Sequence, residues 1–358
     1  MDGMGKVYKV AIAGCGRIAS LLENDPLREK PATHAGAFAL HPATRITAAC
    51  DVNPQRLETF GLKWGIPSPY RYRDYREMLR HAKPDILSVA TWTDSHCDIV
   101  LEAAKTPSIK GIYCEKPIAS SVKEADRMIA GCKKRGIPLV IGHERRFDAN
   151  FVAVKRMVEK KSLGALKTIF AQALSLPMPP LPRKKYIGGT LLHDGTHLMD
   201  LILYFGGPAR WVMGYDKRPH GARNIETAAG GIIGLENGVT VFVEGGGERE
   251  YFKFDLDLQF ERGRILIGNS GIHLFASGAS RHYTGFRELF PAPFPAPKKR
   301  VNSLVGGVAE VVRAIHGGRE PVSSGREARD ALRLIMAVYE SADAGGKKIR
   351  LRNRRDEK

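Results

Sequence analysis

Between residues 8 and 143 short apolar runs alternate with helical patterns, and this alternation constrains the fold more than any other feature of the chain. The apolar runs are YKVAIAG (8–14), TRITAACD (44–51), PDILSVAT (84–91), GIYCEKP (111–117) and IPLVIGH (137–143). Helical spacing fills 54–63, 74–81, 95–105 and 121–135. Apolar runs of that length read as strands buried on both faces. The connections are long enough to cross over, so the strands run parallel. The expected fold class is α/β, with a doubly wound parallel sheet in residues 1–144.

The pattern changes near residue 145. A helix is expected at FVAVKRMVEKKSLG and a strand at ALKTIFAQALSL, followed by strand-like runs near 209–216, 226–235, 238–247, 251–260 and 263–268. Short links such as the ENG turn at 236–238 favour antiparallel neighbours. PAPFPAPKK (291–299) reads as a loop, and two helical patterns close the chain. A length of 358 residues suits two domains. The second is expected to span 145–358 as an α/β domain with a large, open, mainly antiparallel sheet.

Three places at the ends of strands carry chemistry. Gly14-Cys15-Gly16-Arg17-Ile18-Ala19 follows the first strand. Glycines there permit a tight turn and let the backbone approach a pyrophosphate, which the N-terminus of a following helix attracts. Asp51 ends the second strand and can accept hydrogen bonds from both ribose hydroxyls of NAD while repelling a 2′-phosphate, so NAD is expected over NADP. Asp51 lies 32 residues beyond Ala19, where about 20 is usual. The excess reads as an insertion, SLLENDPLREKPAT (20–33), overhanging the cofactor, with Arg28 and Lys30 available to an anionic substrate or solvated in a surface loop. Glu115-Lys116-Pro117 places a lysine at the ligand edge of the sheet. Taken alone it reads more readily as a surface lysine; beside a positively charged nicotinamide its pKa would fall.

GGTLLHDGTHLMDLILYFGG (188–207) reads as one helix, apolar nearly all round and therefore buried. It nonetheless carries His193, Asp194, His197 and Asp200. Positions 193, 197, 200 and 204 form one stripe, and Gly195 interrupts the helix interior at a cost of roughly 1 kcal/mol. A metal held by His193 and His197 would lack a third ligand pattern. Arg145 and Arg146 follow the last parallel strand, placed either to clamp a phosphate or carboxylate or, at least as readily, to form an interdomain salt bridge.

Charge and cysteines narrow the function classes. The net charge is +18, concentrated partly at 296–300 and 347–358. It suits a solvated basic surface or an anionic small ligand. No nucleic-acid-binding motif accompanies it, so no nucleic-acid partner is expected. No run of eighteen apolar residues occurs, so no membrane span is expected, and MDGMGKVYKV is too short and polar for a signal peptide. The five cysteines are scattered without a C-x-x-C pair. They read as reduced structural thiols of a cytoplasmic protein.

VAIAGCGRIA, ACD, VATWTDSH, YCEKPIA and the Gly-Gly…His197 segment occur in that order. In this the whole chain resembles the glucose–fructose oxidoreductase / inositol dehydrogenase / rhizopine-catabolism (Gfo/Idh/MocA) oxidoreductase family. The resemblance implies an N-terminal Rossmann domain binding NAD and a C-terminal domain whose open sheet forms a homo-dimer or homo-tetramer. It implies hydride transfer at a secondary alcohol or ketone of a sugar, polyol or nucleotide-sugar. Hydrolysis of glycosides by transient oxidation with retained NAD shares the equipment, and a non-catalytic NAD-binding regulator is a different class. Lys116 matches the family's catalytic lysine. Thr91, Asp94 and His96 match its loop at the nicotinamide and ribose, and the fingerprint residues 14–19, Asp51 and Glu115 complete the expected cofactor set. His197 matches the acid/base histidine. His193 stands where the family has an aspartate, with Asp194 one place on. Lys116, Arg146, His193, Asp194 and His197 are the expected contacts to substrate.

Overall fold

The computed structural model describes residues 6–176, 188–218, 225–298, 300–317 and 319–351. The chain divides into two compact units. The first runs to Asp148 and takes back Arg300–Arg329; the second begins at Ala149 and resumes at Asp330.

The first unit is built on six parallel strands: β1 (Tyr8–Ala13), β2 (Thr44–Cys50), β3 (Arg71–Tyr72), β4 (Ile86–Val89), β5 (Gly111–Cys114) and β6 (Leu139–Ile141). Their order is β3-β2-β1-β4-β5-β6. Helices α1 (His34–Leu40), α2 (Pro54–Trp64), α3 (Tyr75–Ala82), α4 (His96–Lys105) and α5 (Val122–Lys134) alternate with them. Val10, Ile12, Ile86, Val89, Ile112 and Ile141 have no exposed surface, as strands covered on both faces require. The two-residue strand β3 was not foreseen, because RY carries no apolar run.

The fingerprint does not open a continuous helix. Residues 17–20 form a turn, Leu21–Asn24 a 3-10 turn, and the α-helix starts only at His34. Yet the His34 N–H donates to the Ile18 carbonyl and the Ala35 N–H to that of Ala19, both at 3.0 Å. These are the bonds an uninterrupted helix would make with residues four places on. The helix is therefore interrupted by twelve looped-out residues and resumes in phase, and removing them brings Asp51 back to the usual distance from Ala19. Glu23 closes the loop: one of its oxygens accepts the Ala32 N–H at 3.0 Å and the Thr33 hydroxyl at 2.6 Å. Arg28 pairs with Asp25, and Lys30 donates to the Asp25 carbonyl. Of the two readings open for these cations, an anionic substrate or a solvated surface loop, their contacts are with their own loop.

In the second unit α6 (Ala149–Glu159) leads to a nine-stranded sheet. Its strands are β7 (Leu166–Leu174), β8 (Ala209–Lys217), β9 (Ala228–Leu235), β10 (Thr240–Gly246), β11 (Lys253–Phe260), β12 (Gly263–Gly268), β13 (Gly271–Ala279), β14 (Arg287–Ala292) and β15 (Ile349–Arg350). The order is β14-β13-β12-β11-β7-β10-β9-β8-β15, antiparallel except where β10 runs parallel to β7. The segment expected as one helix is two: α7 (Thr190–His193) and α8 (Thr196–Gly206). They pack on one face of the sheet against β7, β9 and β10. Alternation sends Ile169, Ala171, Val241 and Val243 into that core. Phe170, Met213, Tyr215, Ile232 and Phe242 are exposed, each about 40% or more. β13 and β14 went unread because their alternation lies among half-exposed residues on both faces.

Two late helices divide differently from the expected cut at 144/145. α9 (Ser303–Ile315) belongs to the first unit, where Val308 and Val311 are buried against β5. The approach is close: a side chain on Gly111 would meet Ile315, and one on Gly307 would meet the Tyr113 hydroxyl, each at 2.8 Å. α10 (Gly325–Asp343) starts in the first unit and continues in the second.

The β1 turn sets a clear test. Gly14 has φ +91°, and a Cβ there would lie 2.6 Å from the Ala90 carbonyl oxygen; a Cβ on Gly16 would meet nothing within 4 Å. Gly14→Ala should cost roughly 2–4 kcal/mol and lower the melting temperature by several degrees. Gly16→Ala should melt as the wild type does. Equal melting temperatures for the two variants would contradict this reading of the turn.

Candidate active site

In the first unit the chain ends of β1, β2, β4 and β5 meet at one edge of the sheet. The strand order reverses between β1 and β4, and an open α/β sheet binds ligands at that crevice. Gly14 lies against Ala90 and Thr91. Gly16 faces open space, which leaves its backbone accessible to a pyrophosphate; Arg17 is exposed and Ile18 half-buried. Ala19 has no exposed surface. Its small side chain serves packing beneath the turn.

Asp51 ties the turn to the second strand. One carboxylate oxygen accepts the Cys15 N–H at 2.7 Å and the other the Asn53 N–H at 2.8 Å. Each oxygen keeps a further lone-pair direction, enough to accept the two ribose hydroxyls. Asn53 in turn caps α2 through the Arg56 N–H.

Past β4, Thr91 and Asp94 are half-buried and Trp92 is exposed. His96 is not at this surface. It has no exposed area, and its ring nitrogens lie 3.0 Å from the Pro117 carbonyl oxygen and 3.2 Å from that of Thr91. Burial lowers its pKa. It therefore braces the two loops that carry Thr91 and Pro117.

Lys116 is half-buried beyond β5. Glu115 is turned inward: its oxygens accept from His34 Nε2 at 2.8 Å and from the Lys116 N–H at 3.1 Å. It supports the lysine loop from within. Arg146 is 4% exposed and held by the Val322 carbonyl at 2.8 Å and by Glu327 at 3.4 Å. All three residues lie in the first unit, so this ion pair is internal to it and not the interdomain salt bridge expected as the alternative. Glu144, at the end of β6, was missed. Burial pushes its carboxyl above the ordinary range, opposed by the neighbouring Arg145 and Lys116 and reinforced by Glu115. A perturbed acid at the ligand edge is a mark of functional sites, but a single Glu within ERR carried no pattern.

In the second unit α7 and α8 join at Asp194–Gly195. The Gly195 N–H reaches back five residues to the Thr190 carbonyl, and a Cβ on Gly195 would lie 2.5 Å from the Leu191 carbonyl oxygen. Gly195 is thus required by the joint itself. His197 is 8% exposed in the first turn of α8, and Asp200 is buried below it. His193 and Asp194 are half-buried on the other side of the joint; Asp194 accepts the Ser175 hydroxyl at 3.4 Å. Glu226, also missed, holds this segment. Its buried carboxylate accepts the Gly189 N–H at 2.6 Å, the Leu191 N–H at 2.9 Å and the Tyr339 hydroxyl at 2.8 Å. Among the described residues, no group of three or more His, Cys, Asp or Glu could hold a metal ion.

A doubly wound sheet with an open glycine turn, a ribose-poised aspartate and a lysine loop at one edge defines a dinucleotide-dependent oxidoreductase architecture. The comparisons name it: residues 8–143 match the model described as "Oxidoreductase family, NAD-binding Rossmann fold", and residues 151–274 match the GFO/IDH/MocA C-terminal domain. The chain belongs to the Gfo/Idh/MocA oxidoreductase family. It is 24% identical over 343 residues to the myo-inositol 2-dehydrogenase of Thermotoga maritima, covering 94% of this chain and 96% of that one. To the D-apiose dehydrogenase of Paraburkholderia graminis it is 26% identical, covering 95% and 89%. The WlbA dehydrogenase of Bordetella pertussis, solved with NADH and UDP-GlcNAcA, shares the fold: TM-score 0.75 at 21% identity, covering 98% of this chain and 100% of that one.

Glu226 generates a pH test. Burial raises its pKa above the ordinary 4.5 in the folded protein, against its hydrogen bonds. A carboxyl with a raised folded pKa contributes linked stability below pH 4.5 that is lost as pH rises through the folded value. Glu226→Gln should therefore show its largest stability deficit near pH 5 and a smaller one at pH 8. Glu226→Ala, which strands two N–H groups, should cost about 2–4 kcal/mol. Urea denaturation at both pH values checks this, and a Gln deficit that grows with pH would contradict it.

Proposed function

We propose that the chain is an NAD-dependent dehydrogenase acting on a secondary hydroxyl, or the matching ketone, of a sugar, polyol or nucleotide-sugar, anionic forms included. The observation that carries this is Lys116, held by the Glu115 carboxylate at the same sheet edge as the open Gly16 turn and Asp51. The activities of the relatives support the substrate class, and they favour turnover over a regulator and over glycoside hydrolysis.

Bound NAD supplies the hydride acceptor. Asp51 selects it by accepting the ribose hydroxyls and repelling a 2′-phosphate. Lys116 donates a hydrogen bond to the reacting oxygen and stabilises charge developing on it. His197 takes the hydroxyl proton, with His193 and Asp194 on the substrate side as its neighbours in sequence. The five cysteines are free and buried, which supports a reducing, cytoplasmic location. No helix among the described residues is long and apolar enough to cross a membrane.

The test is turnover with NAD over a panel of polyols, aldoses and nucleotide-sugars, repeated with Lys116→Met. That variant keeps the aliphatic stem, so it should lose at least a hundredfold in kcat while NADH affinity and melting temperature stay near wild type. Survival within about threefold, roughly 0.7 kcal/mol, would remove Lys116 from the chemistry.

The outer face of the second unit's sheet supports a homo-oligomer. Phe170 and Phe242 stack at 4.9 Å in the open, flanked by Met213, Tyr215 and Ile232. Exposed apolar clusters of this kind mark protein interfaces. Phe242→Glu should halve the mass seen in sedimentation or light scattering and leave the far-ultraviolet spectrum unchanged. An unchanged mass, or a wild-type monomer, would sink the assignment.

A further inference from the structure

Beneath Lys116 lies a buried chain of polar groups drawn from three elements. His34, the first residue of α1, has no exposed surface. Its Nδ1 is 2.8 Å from the Ser88 hydroxyl on β4 and its Nε2 is 2.8 Å from Glu115. The other Glu115 oxygen accepts the Lys116 N–H. A carboxylate only accepts, so Nε2 carries a proton, and neutral imidazole then accepts at Nδ1 from Ser88. The surroundings are shaped for this arrangement. Gly142 has no side chain, and a Cβ there would lie 2.9 Å from the Glu115 oxygen that His34 holds. The Tyr113 ring tilts against the imidazole at 4.8 Å.

We propose that His34 is a positioning residue for Lys116: through Glu115 it fixes the backbone at 116 and maintains a negative charge beside the lysine. The inference deepens the proposed function and rests on Lys116 serving the chemistry. Burial alone would raise the Glu115 pKa, but the hydrogen bond from His34, with the Lys116 charge nearby, holds it below the usual range. The other groups around it do not replace that charge. His96 is lowered by burial, and Tyr113 and Cys114 are pushed far up. Glu144, a carboxyl that interacts with Glu115, has its own pKa raised by burial. Removing the His34 donor leaves a buried carboxylate that takes up a proton more readily, and Lys116 then loses the charge that favours its ammonium form.

The full-length protein can be tested without cofactor or substrate. Reductive 13C-dimethylation makes each lysine visible by NMR, and Lys116→Arg identifies the resonance. With His34→Phe the Lys116 resonance should titrate roughly one pH unit lower than in wild type. His34→Gln, which keeps a donor near the Nε2 position, should restore most of the difference. Glu115→Gln should give at least the same shift as His34→Phe. The NADH dissociation constant should stay within twofold. On any substrate found, kcat should fall about tenfold with KM within threefold, and the pH–rate profile should move with the lysine. An unmoved Lys116 titration in folded His34→Phe overturns the proposal. If that variant does not fold, an unmoved titration in Glu115→Gln does so. Failure of every substrate would count against the dehydrogenase reading, while the lysine titration would still decide the role of His34.

Discussion

The ligand edge of the first unit depends on how closely the β1 turn passes β4. Gly14 can lie against Ala90 only because it has no Cβ and adopts positive φ. That contact sets the height of everything downstream. Cys15 is placed to donate its N–H to Asp51, and the Gly14 N–H is placed to reach the Cys50 carbonyl at 2.8 Å. Gly16 is left facing open space. A larger residue at 14 would push the turn away from β4 and carry the Asp51 bridge with it. The cradle is thus made by sterics first and hydrogen bonds second.

Both units place a buried carboxylate behind a loop that carries candidate chemistry. Glu115 stands behind Lys116 and Glu226 behind the entry to α7. Each accepts main-chain N–H groups that no secondary structure satisfies, which offsets part of the cost of burying the charge. Their surroundings differ. His34 and Lys116 give Glu115 charged or protonated partners, and it stays below the ordinary range. Among the described residues Glu226 is held by backbone N–H groups and a tyrosine hydroxyl, and it is raised. The first is suited to keep a permanent charge beside a lysine; the second serves as a cap.

The sequence made the parallel sheet legible because its strands are short and apolar on both faces. Asp51 and the glycine turn could be singled out because strand ends are where such a sheet binds ligands, whereas Lys116, which taken alone reads as a surface lysine, was singled out by the family resemblance. What it hid has a common physical cause. His96, Glu115, Ala19 and Arg146 lie at or beside the right positions along the chain, but their side chains point inward, and direction at a loop is set by tertiary contacts. His34 and Glu226 were unreadable for the complementary reason: single polar residues without a pattern, given meaning by partners 81 and 37 residues away. The break at Gly195 was visible as a cost in a helix, but its reason, the crowding against Leu191, required coordinates.

The insertion joins these observations. Because it leaves the helix after Ala19 and returns at His34 with helical bonds to Ile18 and Ala19, the residue that resumes the helix is held in fixed phase with the fingerprint. That phase delivers His34 to Ser88 and Glu115. A loop that returned one residue earlier or later would turn the His34 side chain by about 100° and leave Glu115 without its donor. Glu23, which binds the Ala32 N–H and the Thr33 hydroxyl just before the helix resumes, fixes the point of return. The loop tip, with Leu27 almost fully exposed, is free of that constraint. Variation in the tip is therefore compatible with an unchanged lysine site, whereas variation in the closure at Glu23, Ala32 and Thr33 is transmitted to it.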